Sequence, residues 1–416
     1  MNDSRLLTPA VAVVGGGPAG LTAAATLAAG GSGDVLVLER ETHAGGIPRH
    51  SDHTGYGMRD LRRVLSGPSY AARLVDTATR SGVTIRTEAM VTGIDADRSL
   101  TVTTPQGLTR VRPDALVLAT GARERPRSAR MIAGDRPAGV YTTGHLQNLV
   151  HLQHGTPGRR AVVVGAELVS WSAVLTLREA GCRTVLMTTT HDRSESYRAF
   201  SALGRTVLRV PVAPRSRVVS IHGRHRVEAV TIEDLRTGTQ RRVACDTVVL
   251  TGDWIPDNEL ARTAGLDVAP GSRSPVVDAT LRTSAPGVFA IGNLVHPVDT
   301  ADVAALDGRH VADGVHRWLT GRHAPEAGVP LRGEAPLRWL SPSAVRVDDH
   351  RPARARLLSW VDEHVARPVV EVRQGGRTLS RHRLPWPAAP GRVFRIPWRV
   401  LEDVDRRGDE VTVALA

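Results

Sequence analysis

Two strand–glycine–helix openings hold the clearest chemistry in this sequence of 416 residues. Residues Ala10 to Leu27 read AVAVVGGGPAGLTAAATL, which puts Gly15, Gly17 and Gly20 at the three glycine positions of a dinucleotide fingerprint. Their roles differ. Gly15 permits a tight turn, Gly17 lets a pyrophosphate touch bare backbone, and Gly20 lets helix and strand pack closely. The helix then opens at Pro18 and Ala19, presenting unpaired N–H groups and its positive dipole end to the anion. Glu39 ends the next strand, where a carboxylate accepts hydrogen bonds from adenosine ribose hydroxyls. The second opening, Ala161 to Leu177, reads AVVVGAELVSWSAVLTL, with Gly165 kept but Glu167 and Ser170 in the other two glycine positions. A carboxylate beside a pyrophosphate is repelled by kilocalories rather than tenths in a partly buried site, so this module reads as degenerate. Its second strand ends in Met187-Thr188-Thr189-Thr190, with neither an acid for a 2′-hydroxyl nor an arginine for a 2′-phosphate. NAD(P)H binding there despite Glu167 stays open as the alternative.

The elements that must position these turns follow from apolar patterning. An apolar strand (Val11 to Val14), a small-residue helix (Ala19 to Ala29) and a second strand (Asp34 to Glu39) come first. An irregular stretch follows from Thr42 to Tyr56, then a helix near Met58 to Arg80, alternating segments at Thr84 to Ile94 and Ser99 to Arg112, and a buried strand at Ala115 to Leu118. The second βαβ unit spans Arg160 to Met187, with strands expected at Thr206 to Val210, Arg217 to His222, Val227 to Asp234 and Thr247 to Leu250. Five of the seven tryptophans fall from Trp318 onward, among short alternating segments such as Val369 to Arg373 and Val411 to Ala414, and they read as core. Gln374-Gly375-Gly376-Arg377 reads as a hairpin turn. The fold class is therefore α/β, with two nested Rossmann-like dinucleotide-binding domains and a small β-rich C-terminal domain. The expected boundaries are 1–142 with 255–323, then 143–254, then 324–416.

Composition narrows the chemistry. All 54 basic residues are arginine, so the formal charge of +12 comes with no lysine and no Schiff-base chemistry. The arginines, Arg123, Arg125, Arg127 and Arg130 among them, are not interleaved with aromatics, which make up only 3%, so no nucleic-acid partner is expected. Two cysteines, Cys182 and Cys245, form no CxxC, which excludes a dithiol redox pair and a four-cysteine iron–sulfur cluster. No metal site is expected. The apolar run Ala10 to Ala29 has no basic leader and is broken by the fingerprint glycines, so it reads as strand and helix rather than a signal peptide or membrane span, and a cytoplasmic protein is expected.

Further motifs carry a resemblance. Residues Glu39 to Gly46 read ERETHAGG, Ala119-Thr120-Gly121 closes a buried strand, and Ser284 to Asn293 read SAPGVFAIGN. Together these resemble the two-dinucleotide-binding-domain flavoproteins of the glutathione and thioredoxin reductase superfamily, over about Val11 to Leu319. Within it, GGIPRHSDHTGYG (Gly45 to Gly57), LATGARERP (Leu118 to Pro126), GVYTTGHLQ (Gly139 to Gln147) and GDWIPDNEL (Gly252 to Leu260) look like the FAD subunits of hydrogen cyanide synthase, opine oxidase and D-hydroxyproline dehydrogenase. The resemblance implies FAD in the first site. Gly15, Gly17, Pro18, Ala19 and Gly20 would hold the pyrophosphate, Glu39 and Arg40 the adenosine end, and Gly45, Gly46, Val91, Ala119, Thr120 and Gly121 would lie along the cofactor. Gly292 and Asn293 would meet the ribityl chain, and Asp302 and Val303, opening the last helix, would aim backbone N–H groups at the flavin pyrimidine edge. Asn293 stands where the superfamily has aspartate, and can hydrogen-bond but brings no charge.

The same resemblance implies oxidation of small amines or amino acids within a hetero-oligomer. His43, His50, His53 and Tyr56 fall in the loop expected near the flavin, and His296 follows the Gly292-Asn293 turn. His53, His50 and His296 are the candidate proton acceptors, since histidine titrates near neutrality, although structural histidines are commoner. Arg49 and Arg123 are candidates to hold a substrate carboxylate. Ser51 stands where some relatives have cysteine, so thiol chemistry is not expected. The expected function is FAD-dependent hydride removal from a small polar substrate, with electrons leaving to a partner, a quinone or oxygen. The partner would be a separate iron–sulfur or flavoprotein subunit. The alternatives are an NAD(P)H-dependent flavin reductase and a non-catalytic FAD-binding subunit of a hetero-oligomeric dehydrogenase.

Overall fold

The computed structural model describes residues 6–196, 204, 206–322 and 328–416. Contacts divide the chain into two units, one of Met1–Arg49, Thr54–Ala122 and Pro256–Ala416, the other of His50–His53 and Arg123–Ile255. The expected junction at 323/324 lies outside the described residues.

The first unit is built on a five-stranded parallel sheet. Its strands run in the order Val288–Ala290, Ala115–Leu118, Val11–Val14, Val35–Leu38, Thr84–Arg86. The middle strands are unbroken apolar runs, as burial on both faces requires. Helix Pro18–Ala29 starts with proline in its first turn and ends at Gly30. Its alanines and glycine leave little side chain, so the last helix, Ala301–Leu319, lies against it backbone to backbone. A Cβ on Gly308 would overlap the Ala19 carbonyl and sit 2.7 Å from the Ala23 nitrogen.

The sequence reading differs from the structure in several places: the segment Ser99 to Arg112 is two strands, Leu100–Thr104 and Gly107–Val111, and residues 123–142 group with the second unit rather than the first. The helix expected from Met58 covers only Gly67–Arg80, because Arg62 takes φ 54° and Ser66 caps the helix ahead of Pro68, accepting from the Ser69 N–H at 3.4 Å. The segment Thr84 to Ile94 is two strands: Glu88, at φ 52°, turns the chain out of the parallel sheet into an antiparallel one with Leu100–Thr104 and Gly107–Val111. No strand forms at 206–210, where Arg209 has φ 52°; Val212–Ala213 is the edge strand instead.

The second unit repeats the plan with a parallel sheet ordered Val140–Thr142, Thr247–Leu250, Arg160–Val164, Arg183–Thr188, Val212–Ala213. Three antiparallel strands, Ser216–His222, Ala229–Asp234 and Gln240–Ala244, form its insert. The C-terminal part of the first unit is β-rich, with a five-stranded and a three-stranded sheet over a shared core. There Gly375 and Gly376, at φ 54° and 74°, make the expected turn between Val369–Gln374 and Arg377–Arg383. Of the five tryptophans expected in the core, Trp339 and Trp398 are buried, whereas Trp318, Trp360 and Trp386 are only partly so.

The helix contact at Gly308 leaves no room for a branched side chain. Gly308→Val is expected to destabilise the first unit by roughly 1–3 kcal/mol through overpacking, measured by chemical denaturation.

Candidate cofactor site

Three glycines shape the first turn as the fingerprint requires. Gly15 takes φ +107°, and a Cβ there would overlap the Ala119 carbonyl; one on Gly20 would overlap the Gly15 carbonyl. Gly17 is different: its Cβ would meet only the Gly46 Cα, at 4.0 Å, so the helix begins on open, bare backbone. No side chain caps that helix start, and a dinucleotide pyrophosphate fits such a cradle. Glu39, 7% exposed, ties the turn together by accepting the Gly16 N–H at 2.8 Å and the Glu41 N–H at 2.9 Å. Each carboxylate oxygen keeps a further lone pair for a ribose hydroxyl. Arg40 is exposed and 3.8 Å from both Glu41 and Asp257.

The other residues expected along the cofactor belong to the same unit. Gly45 and Gly46 take φ +124° and +63°; Gly45 donates to the Gly16 carbonyl at 2.7 Å, and a Cβ on Gly46 would lie 2.9 Å from the Gly17 Cα. Val91 is buried in the antiparallel sheet beside Val102. Ala119 follows the central strand, Thr120 Oγ1 donates to the Asp257 carbonyl at 2.7 Å, and Gly121 accepts from the Asp257 N–H at 2.9 Å. Gly292, at φ +67°, brings its turn against Ala19, where a Cβ would be 2.7 Å from the Ala19 Cβ.

Three expectations need correction. The Asn293 amide closes its own loop, donating to the Asp299 carbonyl at 2.9 Å and accepting the Asp299 N–H at 3.2 Å, so one N–H and one lone pair remain for a ligand. Val303 donates its N–H to the Thr300 carbonyl at 3.0 Å, inside the first helical turn, while the Asp302 carboxylate accepts the Arg59 N–H at 3.1 Å and its guanidinium at 3.2 Å. His296, 2% exposed, is held by Asp307 at Nε2 and by Asp299 at 3.3 Å from Nδ1. Burial alone would lower its pKa, but the two carboxylates outweigh burial and raise it to about 9. An imidazolium that stays protonated through neutral pH cannot take a proton, so His296 is an ion-pair partner rather than a base.

His50 and His53 group with the second unit, so the structure does not bring them into one unit with the first cradle. His53 Nε2 lies 3.1 Å from Ser51 Oγ, which accepts from Gln147 Nε2 at 3.2 Å; Gln147 also donates to Ser172 Oγ at 2.9 Å. His50 is buried and His43 exposed. Arg49 donates to the His43 carbonyl at 2.8 Å. Tyr56 stacks on Tyr70 with ring centroids 5.8 Å apart, and Tyr70 donates to Asp60 at 2.6 Å. Asp52, His151 and Glu179 also meet, but the two carboxylates approach different ring nitrogens, at 3.4 and 3.9 Å, which is ion pairing rather than chelation.

The second turn has the same backbone and opposite contents. Gly165 donates to the Thr188 carbonyl at 2.8 Å, as Gly15 does to Leu38 at 2.9 Å. Glu167 then caps helix Leu168–Glu179: its carboxyl accepts the Ser170 N–H, and Ser170 Oγ accepts the Glu167 N–H at 3.0 Å. A Cβ on Gly252 would sit 2.6 Å from the Glu167 carboxyl carbon. The side chain therefore fills the place of a ligand anion and uses the helix N–H that would bind it. Burial, then the nearby Glu195, raise the Glu167 pKa to about 8. The expected charge repulsion is thus corrected: at neutral pH this carboxyl is mostly protonated and excludes an anion by volume. The strand end is not bare either, for Thr189 Oγ1 donates to Glu195 at 2.9 Å, and burial raises Glu195 to about 7. Glu195 and Gly308 escaped the sequence reading. Glu195 comes from a later loop, and Gly308 is one of two glycines, with Gly314, inside a helical pattern, where glycine itself was the available signal.

Among the described residues no helix is long and apolar enough to cross a membrane. A family model described as pyridine nucleotide-disulphide oxidoreductase matches residues 9–308. The biphenyl dioxygenase system ferredoxin–NAD(+) reductase component of Paraburkholderia xenovorans is 31% identical over 301 residues, covering 68% of this chain and 67% of that protein. An opine oxidase subunit of Rhizobium meliloti is 26% identical over 335 residues, covering 73% of this chain and 70% of that one. In fold, the chain is similar to Lactococcus lactis thioredoxin reductase, with a TM-score of 0.64 at 20% identity over 75% of this chain and 99% of that one.

A carboxyl protonated when folded and ionised when unfolded stabilises at low pH. That contribution of Glu167 is complete below its ordinary value of 4.5 and is lost as pH rises through about 8. Glu167→Gln is expected to flatten the decline of second-unit stability over this range, measured by denaturant titration at successive pH values.

Proposed function

The chain belongs to the pyridine nucleotide-disulphide oxidoreductase family of FAD-dependent enzymes, and we propose that it oxidises a small amine or amino acid by hydride transfer to FAD in the first cradle. One observation carries this reading: the first glycine turn presents bare backbone at Gly17, whereas the second is filled by its own Glu167 carboxyl. Bound FAD supplies a hydride acceptor at N5 and passes the electrons on. The protein's part is to hold and orient. In this reading the Gly15–Gly20 turn and its helix start take the pyrophosphate, Glu39 the ribose hydroxyls, and Gly45, Gly46, Val91 and Ala119 to Gly121 line the cofactor. Gly292 and the remaining N–H of Asn293 would lie along the ribityl chain, and the Asp302 end of the last helix would face the flavin ring.

The amine or amino-acid class is supported by the likeness to the Rhizobium meliloti opine oxidase chain. Dithiol chemistry, the other route for electrons, has no support: Cys182 and Cys245 are both buried, and burial raises each thiol to about 11. Electrons then leave by a quinone, oxygen or a separate iron–sulfur or flavoprotein subunit. A relative named as a ferredoxin–NAD(+) reductase component favours an iron–sulfur partner.

A second reading, reduction of the flavin by NAD(P)H, is favoured by the likeness to ferredoxin–NAD(+) reductase components and by one structural observation. Glu195 beside Thr189 puts an acid at the strand end where an adenosine ribose would need one. Anaerobic mixing separates the two. Amines or amino acids are expected to bleach the flavin of the purified protein, with NADH and NADPH slower by at least about a hundredfold, equivalent to about 2.7 kcal/mol. Rapid bleaching by a pyridine nucleotide alone would overturn the first reading. Glu39→Ala is expected to weaken FAD binding at least about tenfold, the worth of one hydrogen bond to a charged group, measured by flavin release on dilution.

A further inference from the structure

We propose that the C-terminal β-rich region holds a binding site for a small organic anion, a carboxylate or phosphate, in a cavity walled by arginine and tryptophan. The cavity measures about 400 Å³, within the range of about 300 to 1,000 Å³ typical of small-molecule clefts. Four guanidinium side chains line it, those of Arg351, Arg354, Arg356 and Arg399, against one carboxylate, Glu402. The indoles of Trp386 and Trp398 form apolar wall between them.

Arginines cluster at such density in folded proteins when something anionic offsets their repulsion, and here the protein itself offers little. Arg351 and Arg399 are exposed, with no ion pair among the described residues. Arg356 rests its guanidinium 5.2 Å from the centre of the Trp386 ring, a cation–π contact at the cavity wall. Arg354 donates to the Val303 carbonyl at 3.1 Å and lies 3.8 Å from Asp307, while its buried Nε has no hydrogen-bond partner. The backbone is strained at the same place: Arg354 and Ala355, neither a glycine, take φ 63° and 49° in succession. Strain of this kind persists where the surroundings hold it, and it collects at ligand sites.

Guanidinium forks select planar, bidentate anions, and the indole wall favours a ligand with an apolar or aromatic body behind its charge. The cavity is an open cleft of a size that suits a small molecule. The proposal does not depend on which molecule reduces the flavin.

Calorimetry and tryptophan fluorescence on the FAD-loaded full chain test it, with inorganic phosphate, succinate and benzoate as probes at low ionic strength. At least one probe is expected to bind saturably with one site per chain. Preference for phosphate or for the carboxylates identifies the ligand class. The double variant Arg351→Ala/Arg399→Ala is expected to weaken that binding at least about tenfold, the loss of one charge-assisted hydrogen bond. A control, Arg241→Ala/Arg242→Ala on the exposed strand Gln240–Ala244, removes the same charge elsewhere and is expected to change affinity by less than about twofold. Absence of saturable binding by all three probes up to about 10 mM, an affinity below about 3 kcal/mol, overturns the proposal. So does equal weakening in both double variants, which would show only diffuse attraction to a positively charged protein.

Discussion

The first unit depends on how closely its backbone segments approach one another around the start of one helix. Gly20 sits on the Gly15 carbonyl, Gly15 on Ala119, Gly308 on Ala19, and Gly292 against the Ala19 side chain. Four segments far apart in sequence thus converge within a few ångströms, and each convergence needs a residue without a Cβ. The result is a helix N-terminus wrapped on three sides by protein and left open at Gly17. That opening is what a pyrophosphate requires, because bare N–H groups bind an anion best where nothing else competes for them. Parallel strands buried on both faces make the arrangement stiff, and the stiffness holds the open end ready before a ligand arrives.

The second unit shows the same backbone answering to a different side chain. Gly165 repeats the hydrogen bond of Gly15, yet the next glycine position carries a carboxyl that folds back onto its own helix. Burial in a low-dielectric interior makes that carboxyl a neutral acid at physiological pH, which removes the charge conflict and leaves an occupied space. His296 illustrates the opposite outcome of burial. Its two aspartates repay desolvation, so the ring stays charged and binds three loop and helix positions into one knot. Neutral Glu167 and charged His296 follow from one rule: the number and sign of partners decide whether a buried group keeps its charge.

The sequence made much of this legible. Unbroken apolar runs at Val11–Val14 and Ala115–Leu118 named two strands of the first parallel sheet, and the glycine spacing named the first cradle. Where the reading failed, the cause was local geometry that composition does not encode. Arg62, Glu88 and Arg209 all take left-handed conformations in stretches whose pattern looked continuous, and each one ends or diverts an element. Expectations built on single hydrogen-bonding groups fared worse. Asn293 turned to its own loop, Val303 to Thr300, and His296 to two aspartates.

What the sequence alone determined is therefore the scaffold: two glycine turns, the strands behind them, the absence of a dithiol, and the identity of the residue that breaks the second fingerprint. These are readable because periodicity and backbone freedom are local properties of consecutive residues. Only the tertiary structure decided the state of the ionisable groups and the membership of the sites. Glu195 reaches Thr189, Arg354 reaches Val303, and four arginines share one cavity, all through contacts that no linear spacing announces. Protonation, ion pairing and cavity charge depend on the dielectric and the neighbours around an atom, and segments distant in sequence supply both.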